Sequence, residues 1–296
     1  MRISLIDVDS KIPNLALMKI SAYHKNKGDT VGLNLRNPDK IYSSIVFKKN
    51  KGKSFNNSID GVERVFGGSG FDLSVKLPYE IECLKPDYDL YPSGYSQGFS
   101  SRGCNRNCYF CLVHKKEGCF KVVQHPQCFY DDRFKDIMLM DNNILFDREW
   151  TLQVLSWCNK QGLKVNMTQG YDIRLLDEDT ARLIADVHSK DIINFAFDDS
   201  KLEGIIRSKI ALLKNVGINL RSDLQFFVYC HSDEMFEDAL RRCNILKDLG
   251  TNAFVMFNCD NKRSRRIMKL QRWSNRRWLY WKMSFQDYVF VKSKVL

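Results

Sequence analysis

The chain has 296 residues, 44% hydrophobic and 27% charged, and its 46 Lys and Arg against 35 Asp and Glu give a formal net charge of +11. This balance is that of a globular protein and excludes wholesale disorder; no apolar run approaches the ~18 residues of a membrane span. The length suits one large domain or two modest ones of roughly 100–200 residues each. Asp7 and Asp9 sit where an export signal would need its apolar stretch, so the chain reads as cytoplasmic with no membrane partner.

In chain order, ISLIDV reads as a strand and NLALMKISAYHKNKG as an amphipathic helix closed by Gly28, with TVGLNL and YSSIVF as further strands. The polar stretch 48–58 reads as a surface loop. Pro78, Pro86 and Pro92, with the Tyr-rich KPDYDLYPSGY, mark a linker over residues 78–95. Beyond it two hydrophobic periods alternate. DIMLM, LKVNM, IINFAF, LQFFVYC and AFVMF have strand length. Between them EWTLQVLSWCNKQ, DTARLIADVHSK, LEGIIRSKIALLKNV and EMFEDALRRCNILKDL carry helical spacing. Gly162, Gly217 and Gly250 close three of these helices, and acids gather at helix starts, complementing the helix dipole. Such alternation implies parallel strands with right-handed crossovers, hence an α/β barrel or open sheet. The domains expected are 1–93, a small α/β (Rossmann-like) unit; 94–260, an α/β core; and 261–296, a basic, aromatic helical extension.

Ten cysteines at irregular spacing do not make a disulfide framework in a chain of this size without an export signal. Cys83, Cys158, Cys230, Cys243 and Cys259 lie among apolar residues and read as small core fillers. The chemistry-bearing group is Cys104, Cys108 and Cys111 in GFSSRGCNRNCYFCLVHKKEG, just after the short strand-like YSQGF. Thiolates at these spacings on a tight loop can point at one centre, and soft thiolates select iron–sulfur clusters or zinc. A closed zinc site wants four ligands. His114, Cys119, His125 and Cys128 are near enough in sequence to supply a fourth, so a zinc-stabilised nucleic-acid-binding protein without catalytic activity stands as the alternative.

Cys-x3-Cys-x2-Cys with an aromatic, Phe110, before the last cysteine resembles the signature of the radical S-adenosylmethionine (SAM) superfamily. The resemblance covers about residues 94–260. It implies a partial (βα)6 TIM-like barrel whose first strand precedes the cysteine loop. It also implies a [4Fe–4S] cluster on Cys104, Cys108 and Cys111, with SAM on the fourth iron. Reductive cleavage would then give a 5′-deoxyadenosyl radical, the electron coming from a donor such as a flavodoxin or ferredoxin. Carried onto this chain, the SAM-binding positions are Phe110, Asn142 and Asn143 after the second strand, Gln169, Asp172 and Arg174 after the third, and Asp198 after the fourth. The chain lacks the Gly-Gly-Glu form found in many members after the second strand. Asp-Asn-Asn is also good turn chemistry, and Asp172–Arg174 could equally be an ion pair on a solvated turn. His231, after the fifth strand, suits a base or, more commonly, a capping or core role. The sixth strand ends at Met256, Asn258 and Cys259.

Residues 1–77, with Gly67-Gly68-Ser69-Gly70, are similar in layout to cobalamin-binding domains that precede some of these barrels. Their Asp-x-His-x-x-Gly motif is missing, because Asp7-Val8-Asp9-Ser10-Lys11-Ile12 holds no histidine, so no cobalamin is expected. In the tail, Lys262, Arg263, Arg265, Arg266, Lys269, Arg272, Arg276, Arg277 and Lys282 interleave with Trp273, Trp278, Tyr280, Trp281 and Phe285, and no acid falls between Asn261 and Gln286. This pattern suits contact with a nucleic acid or nucleotide. It equally suits an amphipathic helix that buries Met268, Leu270, Trp273 and Trp278.

Overall fold

A computed structural model describes residues 1–55, 61–188, 191–257 and 263–293. Asn258, Cys259 and Lys262 lie outside the described residues. The chain divides into two compact units, Met1–Asp141 and Asn142–Leu296.

The first unit opens with β1 (Arg2–Asp7), α1 (Leu15–Asn26), β2 (Thr30–Leu33), β3 (Lys40–Ser44) and β4 (Glu63–Gly67). The strands form one parallel sheet in the order β2-β1-β3-β4. Asn14 caps α1, its Oδ1 accepting from Leu17 N at 3.2 Å, and α1 lays Leu17 and Ile20 on Ile3 and Leu5. The stretch expected as a surface loop forms a 3-10 helix over Lys48–Phe55. Gly68 and Gly70 are packing residues: a Cβ would meet Ile45 O at 2.2 Å and Phe47 C at 2.5 Å, respectively.

The proline- and tyrosine-rich segment is an ordered strap within this unit. It forms α2 (Tyr79–Glu82), then packs the buried Tyr88, whose hydroxyl donates to Phe129 O at 2.6 Å. Tyr91 Oη donates to Asp7 Oδ2 at 2.8 Å. There follow β5 (Ser96–Gly98), β6 (Ser101–Arg102), α3 (Val113–Glu117), β7 (Lys121–Val122) and β8 (Asp136–Leu139). β5 and β8 are parallel; β6 and β7 form a short antiparallel ribbon.

The second unit alternates α4 (Arg148–Lys160), β9 (Lys164–Met167), α5 (Glu178–Val187), β10 (Ile193–Ala196), α6 (Glu203–Asn215), β11 (Leu224–Tyr229), α7 (Phe236–Asp248) and β12 (Asn252–Met256). Its helices form where 3.6-residue periodicity meets good caps: Asp147 accepts from Trp150 N at 2.9 Å at the start of α4, and Asp177 with Thr180 makes a capping box on α5. β10, β11 and β12 are parallel in that order, around the fully buried Phe195, Phe226, Val228 and Val255. The turn after β9 joins β10 through Tyr171 N, which donates to Asn194 O at 2.8 Å. The protein is therefore of the α/β class with parallel sheets, as expected; these pairings do not show a TIM-like barrel.

The tail forms α8 (Arg265–Ser274), α9 (Arg277–Lys282) and α10 (Phe285–Ser293). Leu270 and Trp273 are buried as expected, but Met268 and Trp278 are exposed. Within α8, Ile267 rather than Met268 shares the inward face of Leu270 and Trp273, and the break at Asn275–Arg276 resets the phase so that Leu279 and Tyr280 turn inward in place of Trp278. Cys158, Cys230 and Cys243 are buried, and burial pushes the Cys230 thiol up to about 11 and that of Cys243 up to about 12, as suits core fillers. Cys83 departs from that expectation: it ends the one-turn α2 and is exposed. Among the described residues no helix is long and apolar enough to cross a membrane.

Candidate functional site

In the first unit, the β6–β7 ribbon presents the cysteine loop. Its neck is pinned by backbone: Cys104 N donates to Gly118 O at 3.1 Å, and Asn105 Oδ1 accepts from Phe120 N at 2.8 Å. Gly103 sits at φ +81°, where a Cβ would fall 2.2 Å from Cys119 O, so only glycine fits this close crossing. Cys104, Cys108 and Cys111 are half-buried and none is in a disulfide. Cys111 N donates to Cys108 O at 3.0 Å, placing these two on one tight turn, and Arg106 N donates to Cys104 Sγ at 3.4 Å. Phe110 is half-buried edge-on to the exposed Tyr109, ring centroids 5.2 Å apart.

Three half-buried thiols with a backbone N–H directed at one sulfur suit the donor set of an iron–sulfur cluster, whose sulfurs accept such hydrogen bonds. Among the described residues no group of three His, Cys, Asp or Glu side chains already converges on a metal position. Cys119 and Cys128 are exposed.

Beneath the loop lies a residue that sequence reasoning passed over in favour of its neighbours. Asp141 is fully buried and accepts four hydrogen bonds. Ser100 gives its N at 3.0 Å and Oγ at 2.6 Å; Ser101 gives its N at 2.5 Å and Oγ at 2.6 Å. Burial pushes its carboxyl up from the ordinary range, and the four donors oppose that shift. The twin serines three and four residues before Cys104 were the available signal. A second brace reaches the same ribbon: Arg102 pairs with Glu82 at 2.7 Å and Glu117 at 3.2 Å, with its guanidinium 3.6 Å from the Phe99 ring centroid. Glu82 is held in turn by the buried Lys19.

In the second unit, the remaining candidates fall at or after strand ends. Asn142 is half-buried and Asn143 buried, the latter heading the 3-10 turn Ile144–Phe146. Gln169 is exposed after β9. Asp172 caps the next turn and holds Arg174 in a bidentate pair, Nε to Oδ1 at 2.7 Å and Nη2 to Oδ2 at 3.0 Å. The guanidinium fork that a ligand carboxylate would use thus carries an internal carboxylate. Asp198, after β10, accepts from Tyr229 N at 2.9 Å, and burial raises its pKa. His231, half-buried, stacks on Tyr229 with centroids 5.2 Å apart.

Arg242, on α7 and fully buried, was also missed. It donates to Phe197 O at 2.6 Å and Tyr229 O at 3.1 Å and pairs with Asp238 at 2.7 Å, tying together the C-terminal ends of β10 and β11 where Asp198 sits. Helical periodicity marks position 242 as inward-facing, but an arginine there reads as a surface residue until the strand-end carbonyls are seen. Compared with known protein families and with curated proteins, the chain matches none.

Proposed function

We propose that the protein is a radical SAM enzyme in which Cys104, Cys108 and Cys111 hold a [4Fe–4S] cluster, within a partial (βα)6 barrel. The observation that carries this reading is the cysteine loop itself: three half-buried thiols at Cys-x3-Cys-x2-Cys spacing, on a neck that Gly103 and Asp141 hold. When bound, the cluster and SAM supply methionine and a 5′-deoxyadenosyl radical on one-electron reduction, a donor such as a flavodoxin or ferredoxin giving the electron. The chain's part is to hold three thiolates and leave one metal position open. In the second unit, Asp198 offers an acceptor for a ribose hydroxyl, fixed by Tyr229 N. The substrate favoured is a nucleic acid or nucleotide, and the setting cytoplasmic.

Anaerobic purification tests the reading. Brown, oxygen-sensitive protein that releases 5′-deoxyadenosine from SAM on reduction is the expected result, with Cys108→Ala losing both colour and cleavage. Colourless protein carrying stoichiometric zinc would overturn it.

A further inference from the structure

At the opposite end of the second unit's parallel sheet from Asp198, the tail helices build an open groove of about 430 Å³. It is lined by Arg221, Arg277, Trp278, Trp281 and Lys282. Arg221 and Ser222 lie within three residues of the start of β11, and Asn252 opens β12, so the groove belongs to the N-terminal strand ends. Trp281 Nε1 donates to Asn252 Oδ1 at 2.8 Å, and Arg277 Nη1 donates to Ser222 O at 3.0 Å, fixing the walls to the sheet.

The groove's chemistry is specific. The Arg221 guanidinium lies 4.4 Å from the Trp281 ring centroid, leaving a planar cation on an aromatic wall. Trp278 is 63% exposed, leaving a large apolar indole surface in water. Arg277 Nη2 is buried without a hydrogen-bond partner, and burial lowers the pKa of Arg277, opposed by Asp223. Among the described residues no carboxylate lies within ion-pair distance of Arg221, Arg277 or Lys282, although most arginines of this unit outside the tail hold one. The volume is in the range of small-ligand sites, ~300–1,000 Å³.

We propose that this groove binds single-stranded nucleic acid, one base stacking on Trp278 and the flanking phosphates meeting Arg221, Arg277 and Lys282. An indole face with adjacent guanidinium and ammonium groups matches an unpaired base and its phosphates, whereas the bases of a duplex are already stacked. The six residues of β11 separate the groove from the Asp198 end by roughly 20 Å. It is therefore an anchoring site for a polymer rather than the place of reaction. The inference goes beyond the radical reading and does not rest on it.

Fluorescence anisotropy of the full chain with a short fluorescein-labelled single-stranded RNA tests it. Trp278→Ala is expected to weaken binding by about 5-fold or more. Lys282→Glu should weaken it and flatten the dependence of log K on log salt by about 0.7. Both side chains are exposed, so melting temperatures should stay put. Arg272→Glu, on α8 outside the groove, should change affinity less than Lys282→Glu. Unaltered affinity in both groove variants, equal loss in Arg272→Glu, or equal affinity for a duplex or for anionic vesicles would overturn the proposal.

Discussion

The side-chain amide of Asn275 pairs with both backbone groups of Val255: Val255 N donates to Oδ1 at 2.7 Å, and Nδ2 donates to Val255 O at 3.1 Å. β12 is the last strand of its sheet, and Asn275 does there what another strand would do, closing an edge that invites pairing with a second chain. Asn275→Leu should cost about 1–3 kcal/mol in urea unfolding, since the buried Val255 N loses its acceptor while Val255 O keeps only Gln271 Nε2 at 3.2 Å. It should also raise the tendency to self-associate, measured by light scattering.

Asp141 is the strongest test of how the cysteine loop is positioned. Asp141→Asn keeps the shape but turns an amide N–H₂ toward donors on Ser100 or Ser101, and should cost about 2–4 kcal/mol. Iron bound after anaerobic reconstitution should fall together with stability. Ser101→Ala removes one of the four donors and should cost about 1 kcal/mol. In both measurements it should lie between the Asp141→Asn variant and wild type.

Arg242 should behave as a strand-end clamp. Arg242→Ala leaves Phe197 O and Tyr229 O without their buried donor and should destabilise the protein by about 3 kcal/mol or more in urea. Arg242→Lys should recover only part of this, because an ammonium on a flexible stem cannot reproduce a fork that spans two carbonyls.

Asp131 gives a pH signature. Arg133, through Nε at 2.9 Å and Nη2 at 3.1 Å, holds its carboxyl down at about 2 against an ordinary 3.8. A depressed folded-state pKa contributes stability that is present above about pH 4 and is lost as pH falls toward 2. Arg133 is half exposed, so the contribution at neutral pH is about 1 kcal/mol after solvent screening. Asp131→Asn should remove it at pH 7 and flatten the acid limb of the stability curve between pH 4 and 2.

The second unit was legible because its signals are long. α4, α6 and α7 each carry more than three turns of apolar spacing and α5 nearly three, and each following strand is a short apolar run. β6 and β7 were invisible for the opposite reason, since two residues carry no period and their pairing depends on eighteen intervening residues folding back. The tail's faces were misread at Trp278 because one continuous helix was assumed where Asn275 leaves α8 to meet Val255, and at Met268 because Ile267 is the residue in phase with Leu270 and Trp273. The cysteines announced themselves through spacing. Asp141 and Arg242 did not, because a buried charge is recognisable only once its partners are in place.

The neck of the cysteine loop is closed by main-chain bonds and by a glycine crossing. In small zinc domains metal binding and folding are one event, so stripping the ion unfolds the chain. With its neck held this way, the scaffold should outlast the proposed cluster. Air exposure that bleaches the protein should therefore leave a folded, refillable apoprotein, with iron and sulfide restoring colour without a denaturation and renaturation cycle.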